Sequence, residues 1–132
     1  MKISTKGRYA LIIMIELAKN YESGKFVSLK EIAEKEKLSL KYLEKIMLNL
    51  NKKDFLESSR GVDGGYRLKN KPVDYTIGEI LKRAEGNLSV VSCLKKMECT
   101  SKKGNCITCS LWQELNGVID NFLNSKTLED YR

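Results

Sequence analysis

The stretch from residue 28 to residue 68 leaves few architectures open. Ser28-Leu29-Lys30-Glu31 has the capping-box pattern, in which the serine accepts from an orphan amide and the glutamate reaches back, so a helix should start there and run to about Glu36. Lys37-Leu38 makes a tight connection, and Ser39 caps a second helix over 40–51 whose Leu43, Ile46, Met47 and Leu50 form one apolar stripe. Two short helices and a tight turn read as helix-turn-helix. Periodicity alone would fit any helical hairpin equally well, and the next segment breaks the tie. Phe55-Leu56-Glu57-Ser58-Ser59-Arg60 and Tyr66-Arg67-Leu68 flank Gly61-Val62-Asp63-Gly64-Gly65, where Asp-Gly-Gly supplies the positive-φ residues of a hairpin turn. Helix-turn-helix followed by a glycine-rich hairpin is a winged helix.

The flanks extend this unit. Ser4 or Thr5 caps a first helix to about Asn20, with Tyr9, Ala10, Ile13, Met14 and Leu17 among its apolar positions. Its apolar surface is wide, as expected of a helix buried between layers or at a subunit contact. Pro72 ends the hairpin, and Thr76-Ile77-Gly78-Glu79 starts a helix that stops at Gly86. Ser110 caps a last long helix with Leu111, Leu115, Val118, Ile119, Phe122 and Leu123 on one side. That stripe needs the N-terminal helix, a second copy of the chain, or both to cover it, and a C2 dimer is the commonest solution. The expected fold is mainly α with a small β-hairpin wing: a winged helix-turn-helix over 1–86, then a cysteine-rich loop and dimerisation helix over 87–132.

All four cysteines fall within seventeen residues as Cys93-x5-Cys99-x6-Cys106-x2-Cys109, with mostly polar residues between them. Such filler cannot build a core, whereas thiols on a short loop can converge on zinc or an iron–sulfur cluster. Cys106 and Cys109 form a normal zinc half-site, but the other gaps are longer than the usual paired spacing. Metal-free redox thiols also fit a C-x-x-C.

Charge bears on the partner. Residues 1–70 carry fifteen Lys/Arg against nine Asp/Glu, and residues 71–132 carry nine against eight, so the net +7 is concentrated in the N-terminal part. A basic half suits nucleic acid or an anionic surface. Lys2, Lys6 and Arg8 stand at the start of the first helix, within reach of phosphates if DNA is the partner. The outer face of the second helix of the motif offers Lys41, Tyr42, Glu44 and Lys45, residue types suited to phosphates and base edges. Arg60 is the natural probe of a narrow minor groove. The chain has no histidine, which removes histidine acid–base catalysis, Ser-His and Cys-His dyads and histidine metal ligation. A thiol-redox enzyme is weakly supported, for want of a thioredoxin-like strand–helix alternation around Cys106 or a phosphate-binding glycine loop, and no catalytic residue is assigned. The longest apolar run, residues 10–15, is far short of a membrane span, and the expected location is cytoplasmic.

Lys6-Gly7-Arg8-Tyr9-Ala10, Leu38-Ser39-Leu40-Lys41-Tyr42-Leu43-Glu44, Arg60-Gly61-Val62-Asp63-Gly64-Gly65-Tyr66 and the cysteine loop leading into Leu111-Trp112 together resemble the Rrf2 family of bacterial winged-helix regulators. The resemblance covers nearly the whole chain and is nearest to the IscR-like branch, with CymR-like features in the ending Thr127-Leu128-Glu129-Asp130. It implies a homodimeric regulator, read here as a repressor, on double-stranded operator DNA. Ser39, Tyr42 and Glu44 fall at major-groove positions, and Arg60 with Gly61 at the minor-groove position of the wing. Lys41 and Lys45 replace the small and amide residues of the IscR-like branch, so the operator sequence is open. Cys93, Cys99 and Cys106 match the cluster cysteines of that branch, with the second gap one residue longer, and Cys109 stands where its histidine ligand would be. The resemblance thus implies an all-cysteine cluster, [2Fe–2S] ahead of [4Fe–4S]. Spacing alone does not choose between them, and structural zinc is the alternative. Arg8 occupies the place of the aspartate ligand of NsrR-like proteins, which disfavours that arrangement. A CymR-like reading would instead imply a regulator of sulfur metabolism without a cluster, working with an enzyme partner.

Overall fold

The computed structural model describes residues 3–91 and 107–132. Helix α1 (Thr5–Lys19) is followed by α2 (Leu29–Glu36), α3 (Leu40–Leu50), the hairpin β1 (Leu56–Ser59) and β2 (Gly65–Leu68), then α4 (Ile77–Glu85) and α5 (Cys109–Ser125). Short 3-10 turns, Pro72–Asp74 and Leu128–Asp130, precede α4 and follow α5. The fold is mainly α with one antiparallel hairpin, as the residue pattern predicts. No described helix is long and apolar enough to cross a membrane.

Helix α1 is the centre of the core. Ala10, Ile13, Met14, Leu17 and Ala18 are all essentially inaccessible, packed against α2, α3, α4 and β2. The anticipated caps form at three helices, where Ser28, Ser39 and Thr76 accept from the amides of Glu31, Tyr42 and Glu79. Each such cap is worth about 1 kcal/mol. Two starts differ from expectation. Ser4 precedes α1 but makes no side-chain cap. The last helix begins at Cys109, one residue before Ser110, because the Thr108 carbonyl takes the first helical bond from Trp112 and its hydroxyl accepts from the Trp112 indole at 3.1 Å.

The hairpin pairs Leu56 with Leu68 and Glu57 with Arg67, the latter pair also joined by an ion pair at 2.7 Å. Of Asp63-Gly64-Gly65, expected to supply the positive-φ residues, Gly65 does so, and the other positive-φ residue of the hairpin is Gly61. Val27, just before α2, exchanges two backbone hydrogen bonds of 2.8 Å with Tyr66, so the wing is docked on the connection between α1 and α2. Buried Tyr75 closes its base, donating its hydroxyl to Phe55 O at 2.5 Å and accepting from the amides of Lys69 and Asn70. Burial pushes the Tyr75 phenol up, which keeps it the neutral donor this arrangement needs. Arg83 of α4 grips the same corner, bonding both Asp54 carboxylate oxygens and lying 3.9 Å from the Phe55 ring centroid.

The C-terminal part is tied into the N-terminal core. Leu128 is fully buried, its amide donates to Tyr75 O, and Ile77 donates to Lys126 O. Arg132 reaches Ala18 O and Glu22 at the end of α1. Helix α5 lies along α4, close enough that a Cβ on Gly78 would meet the Asn124 side chain.

Between α1 and α2 sits the buried carboxylate of Glu16, 2.8 Å from Lys35 and 3.1 Å from Lys19. Burial alone would raise this carboxyl, but the hydrogen bonds from Lys35 and Lys19 outweigh it and hold it below the ordinary 4.5. A depressed folded value stabilises the protein above 4.5, and that contribution is lost as pH falls through the lower folded value. Denaturant unfolding across the acid range should show this loss, and Glu16→Gln should be less stable at neutral pH with a flatter acid limb. An unchanged acid limb in the variant would remove Glu16 from the pH response.

Candidate nucleic-acid interface

The turn between α2 and α3 aims the second helix outward. Lys37 takes a left-handed conformation, φ 57°, and Leu38 turns into the core while its amide closes on Ala33 O. Such a residue is usually glycine or asparagine. Helix α3 then buries Leu43, Ile46, Met47 and Leu50 and leaves Lys41, Glu44, Lys45 and Leu48 exposed at i, i+3, i+4 and i+7. These four line a shallow trough together with Ser39 and Tyr42. The five α3-region residues singled out in the sequence, Ser39, Lys41, Tyr42, Glu44 and Lys45, therefore share one surface.

Tyr42 is held from behind. Its ring meets the Tyr9 ring edge-on, with centroids 5.7 Å apart, which ties the start of α3 to α1. Around the same ring a second cleft opens between the helices, lined by Lys6, Tyr42, Lys45, Ile46 and Asn49. Arg60 and Gly61 are exposed in the wing loop, and Val62 projects fully into solvent.

Two features of this surface are not fully legible in the sequence. Leu48 is 73% exposed, and its spacing from Lys41 was the available signal for the outer stripe, obscured by its apolar character. Lys6 is one of three cations that the sequence places at the start of α1, within reach of phosphates, with no indication of which side chain it joins. Nothing local showed that it shares a cleft with Lys45, since that depends on α1 packing against α3.

Of the four cysteines, Cys109 lies half-buried in the first turn of α5, while Cys93, Cys99 and Cys106 lie outside the described residues. Among the described residues no three Cys, Asp or Glu side chains converge into a metal-binding group. The first turn of a helix favours negative charge, which suits a thiolate ligand at Cys109. With four thiols and no histidine, the donor set as a whole fits a group held by sulfur alone.

Comparison with known proteins follows the same lines. The Rrf2 family profile, described as "Iron-dependent Transcriptional regulator", matches residues 3–131. Over 130 residues the chain is 42% identical to the HTH-type transcriptional regulator CymR of Bacillus subtilis strain 168, covering 98% of this chain and 88% of that one. It is 35% identical over 128 residues to the HTH-type transcriptional regulator IscR of Cronobacter sakazakii, covering 97% of this chain and 78% of that one. The solved structure of CymR, the global cysteine regulator of B. subtilis, superposes with a TM-score of 0.81 at 39% identity, covering 98% and 95% of the two chains.

Proposed function

The chain belongs to the Rrf2 family of transcriptional regulators, and on that footing we propose that it is a cytoplasmic, homodimeric, operator-binding repressor whose affinity reports the state of an iron–sulfur cluster on Cys93, Cys99, Cys106 and Cys109. The observation that carries the DNA-binding part is the single exposed surface formed by Ser39, Lys41, Tyr42, Glu44 and Lys45 on a helix whose opposite face is locked into the core. In this reading α3 enters the major groove. There the lysines meet phosphates or guanine edges, Glu44 accepts from cytosine, and the Ser39 hydroxyl caps the helix it begins. Arg60 and Gly61 follow the adjacent minor groove, and the glycine allows close approach of the backbone. Replacing Arg60 with Ala should weaken operator binding about tenfold with the dimer intact. Unchanged binding at several salt concentrations would take the wing out of the interface.

The cluster part is supported by the donor set, four thiols with one on the first turn of α5. When bound, such a group supplies a redox-active, sulfide- and thiolate-rich centre. The test is anaerobic purification with visible absorption, iron, sulfide and zinc measured on one sample. Matching iron and sulfide, lost in Cys99→Ala, supports the reading. Colourless protein that cannot be reconstituted sinks it. The second reading is a CymR-like regulator of sulfur metabolism that uses zinc or metal-free thiols and an enzyme partner. Its support is the 42% identity to CymR together with the superposition on that structure. One zinc per chain, or no metal at all, is the result it expects.

A further inference from the structure

Helix α1 starts without the usual local help. Ser4 makes no side-chain cap, and the first turn, Thr5-Lys6-Gly7-Arg8, contains no acidic residue. The missing acceptor comes from 81 residues away. One carboxylate oxygen of Glu85, the last residue of α4, accepts from the Ser4 amide at 3.0 Å, the Gly7 amide at 2.8 Å and the Ser4 hydroxyl. Gly7 is what lets it in, since a Cβ there would lie 2.5 Å from that oxygen. A carboxylate at the C-terminal end of α4 is the wrong sign for the dipole of α4 itself and the right sign for the start of α1. The turn it holds carries Lys6, which lines the cleft shared with Tyr42, Lys45 and Asn49 of α3.

We propose that this cleft between the first turn of α1 and α3 is a DNA phosphate site, with Lys6 and Lys45 as its cations and Glu85 as the residue that positions Lys6. The proposal rests on the DNA-binding reading above and adds a contact outside α3 and the wing. A phosphate between two ammonium groups and the Asn49 amide is held by charge and hydrogen bonds without reading the base. The contact therefore contributes equally on any sequence and appears in the salt dependence.

The sign of the Glu85 effect separates positioning from simple charge. Removing a carboxylate from the DNA-binding side of a basic protein should tighten binding if only net charge matters. If Glu85 positions Lys6, its loss weakens binding. The experiment titrates the full-length protein against a duplex of random sequence over a series of salt concentrations, with folding and dimerisation checked on each variant. Lys6→Ala should lower affinity several-fold and reduce the slope of log K against log salt by about 0.9. Glu85→Ala should move both quantities the same way, and adding it to Lys6→Ala should cost little more. Gly7→Ala, which displaces the carboxylate without removing it, should behave like Glu85→Ala. Glu85→Gln, which keeps an acceptor oxygen, should bind nearly as the parent does. Folded Glu85→Ala and Gly7→Ala proteins that bind as tightly as the parent, or tighter, overturn the proposal. With Arg60→Ala in the same series, a loss there and none at Lys6 or Glu85 removes this cleft and leaves the DNA-binding reading standing. A parent protein that binds no duplex overturns both.

Discussion

If the proposed dimer pairs through α5, an aspartate at Val118 or Phe122 should convert it to monomers and lower operator affinity on the order of a hundredfold or more, through loss of the second half-site. Leu111, Leu115, Val118 and Phe122 follow at steps of four, three and four along α5, and each is between 39% and 65% exposed. That spacing puts them on one line of the helix surface. Ile119 and Leu123 of the same helix are half-buried, Asn116 is buried, and α5 lies against α4. The stripe expected to lie on one side is thus divided between a face turned into the protein and a face that the described residues leave largely exposed, with Lys126 5.6 Å from the Phe122 ring centroid. A continuous row of large apolar side chains differs from the scattered exposed residues of an ordinary surface, and it needs an apolar partner. A symmetric pairing of two α5 helices would supply one. A carboxylate in such a seam carries a desolvation penalty of several kcal/mol, which Lys126 beside the Phe122 ring offsets in part at that position, so Val118→Asp is the sharper of the two tests. Sedimentation and operator titration on the same samples make the check. A variant that stays dimeric and binds normally would place the subunit contact elsewhere.

The parts of this fold that were legible in the sequence are those written in local chemistry. Ser28, Ser39 and Thr76 announce their helices because each hydroxyl serves an amide three residues on. The buried stripe of α3 follows from its period. What was not legible depends on residues that meet only after folding. A single bridging residue, Val27, has no strand pattern around it, so the docking of the wing on the connection before α2 left no trace. Glu85 and Arg132 serve opposite ends of α1 from distant places in the chain, and neither has a spacing that reveals it. The two cations of the proposed phosphate cleft are 39 positions apart for the same reason. Glu44 and Lys45 were legible as outward-facing because the inward stripe was clear. Leu48, 73% exposed, was not, because an apolar side chain carries no sign of facing solvent.

Replacing Gly65 with Ala should destabilise the protein by roughly 3–4 kcal/mol and lift the wing from its seat. The estimate combines about 1–2 kcal/mol for a side chain in this sparsely populated backbone region with about 1 kcal/mol for each of the two Val27–Tyr66 hydrogen bonds. Gly65 has φ 147°, and a Cβ there would lie 2.3 Å from Val27 O, 2.4 Å from its carbonyl carbon and 2.7 Å from Ser28 N. All three are backbone atoms, so no side-chain rotation relieves the contact. The strands must separate from Val27, and the movement reaches Ser28, the residue that caps α2. Gly24 provides the control, with φ 67° and no heavy atom within 4 Å of a built Cβ. Gly24→Ala should show the conformational cost alone, about 1–2 kcal/mol. Denaturant unfolding of the two variants isolates the docking contribution as the difference between them. Operator titration then shows whether docking matters for DNA, since Gly65→Ala moves the loop bearing Arg60 and Gly61 and Gly24→Ala does not. Equal costs for the two substitutions would mean that the Val27 contact does not hold the wing. A larger cost at Gly65 with operator binding unchanged would mean that the wing can leave its seat without leaving the DNA.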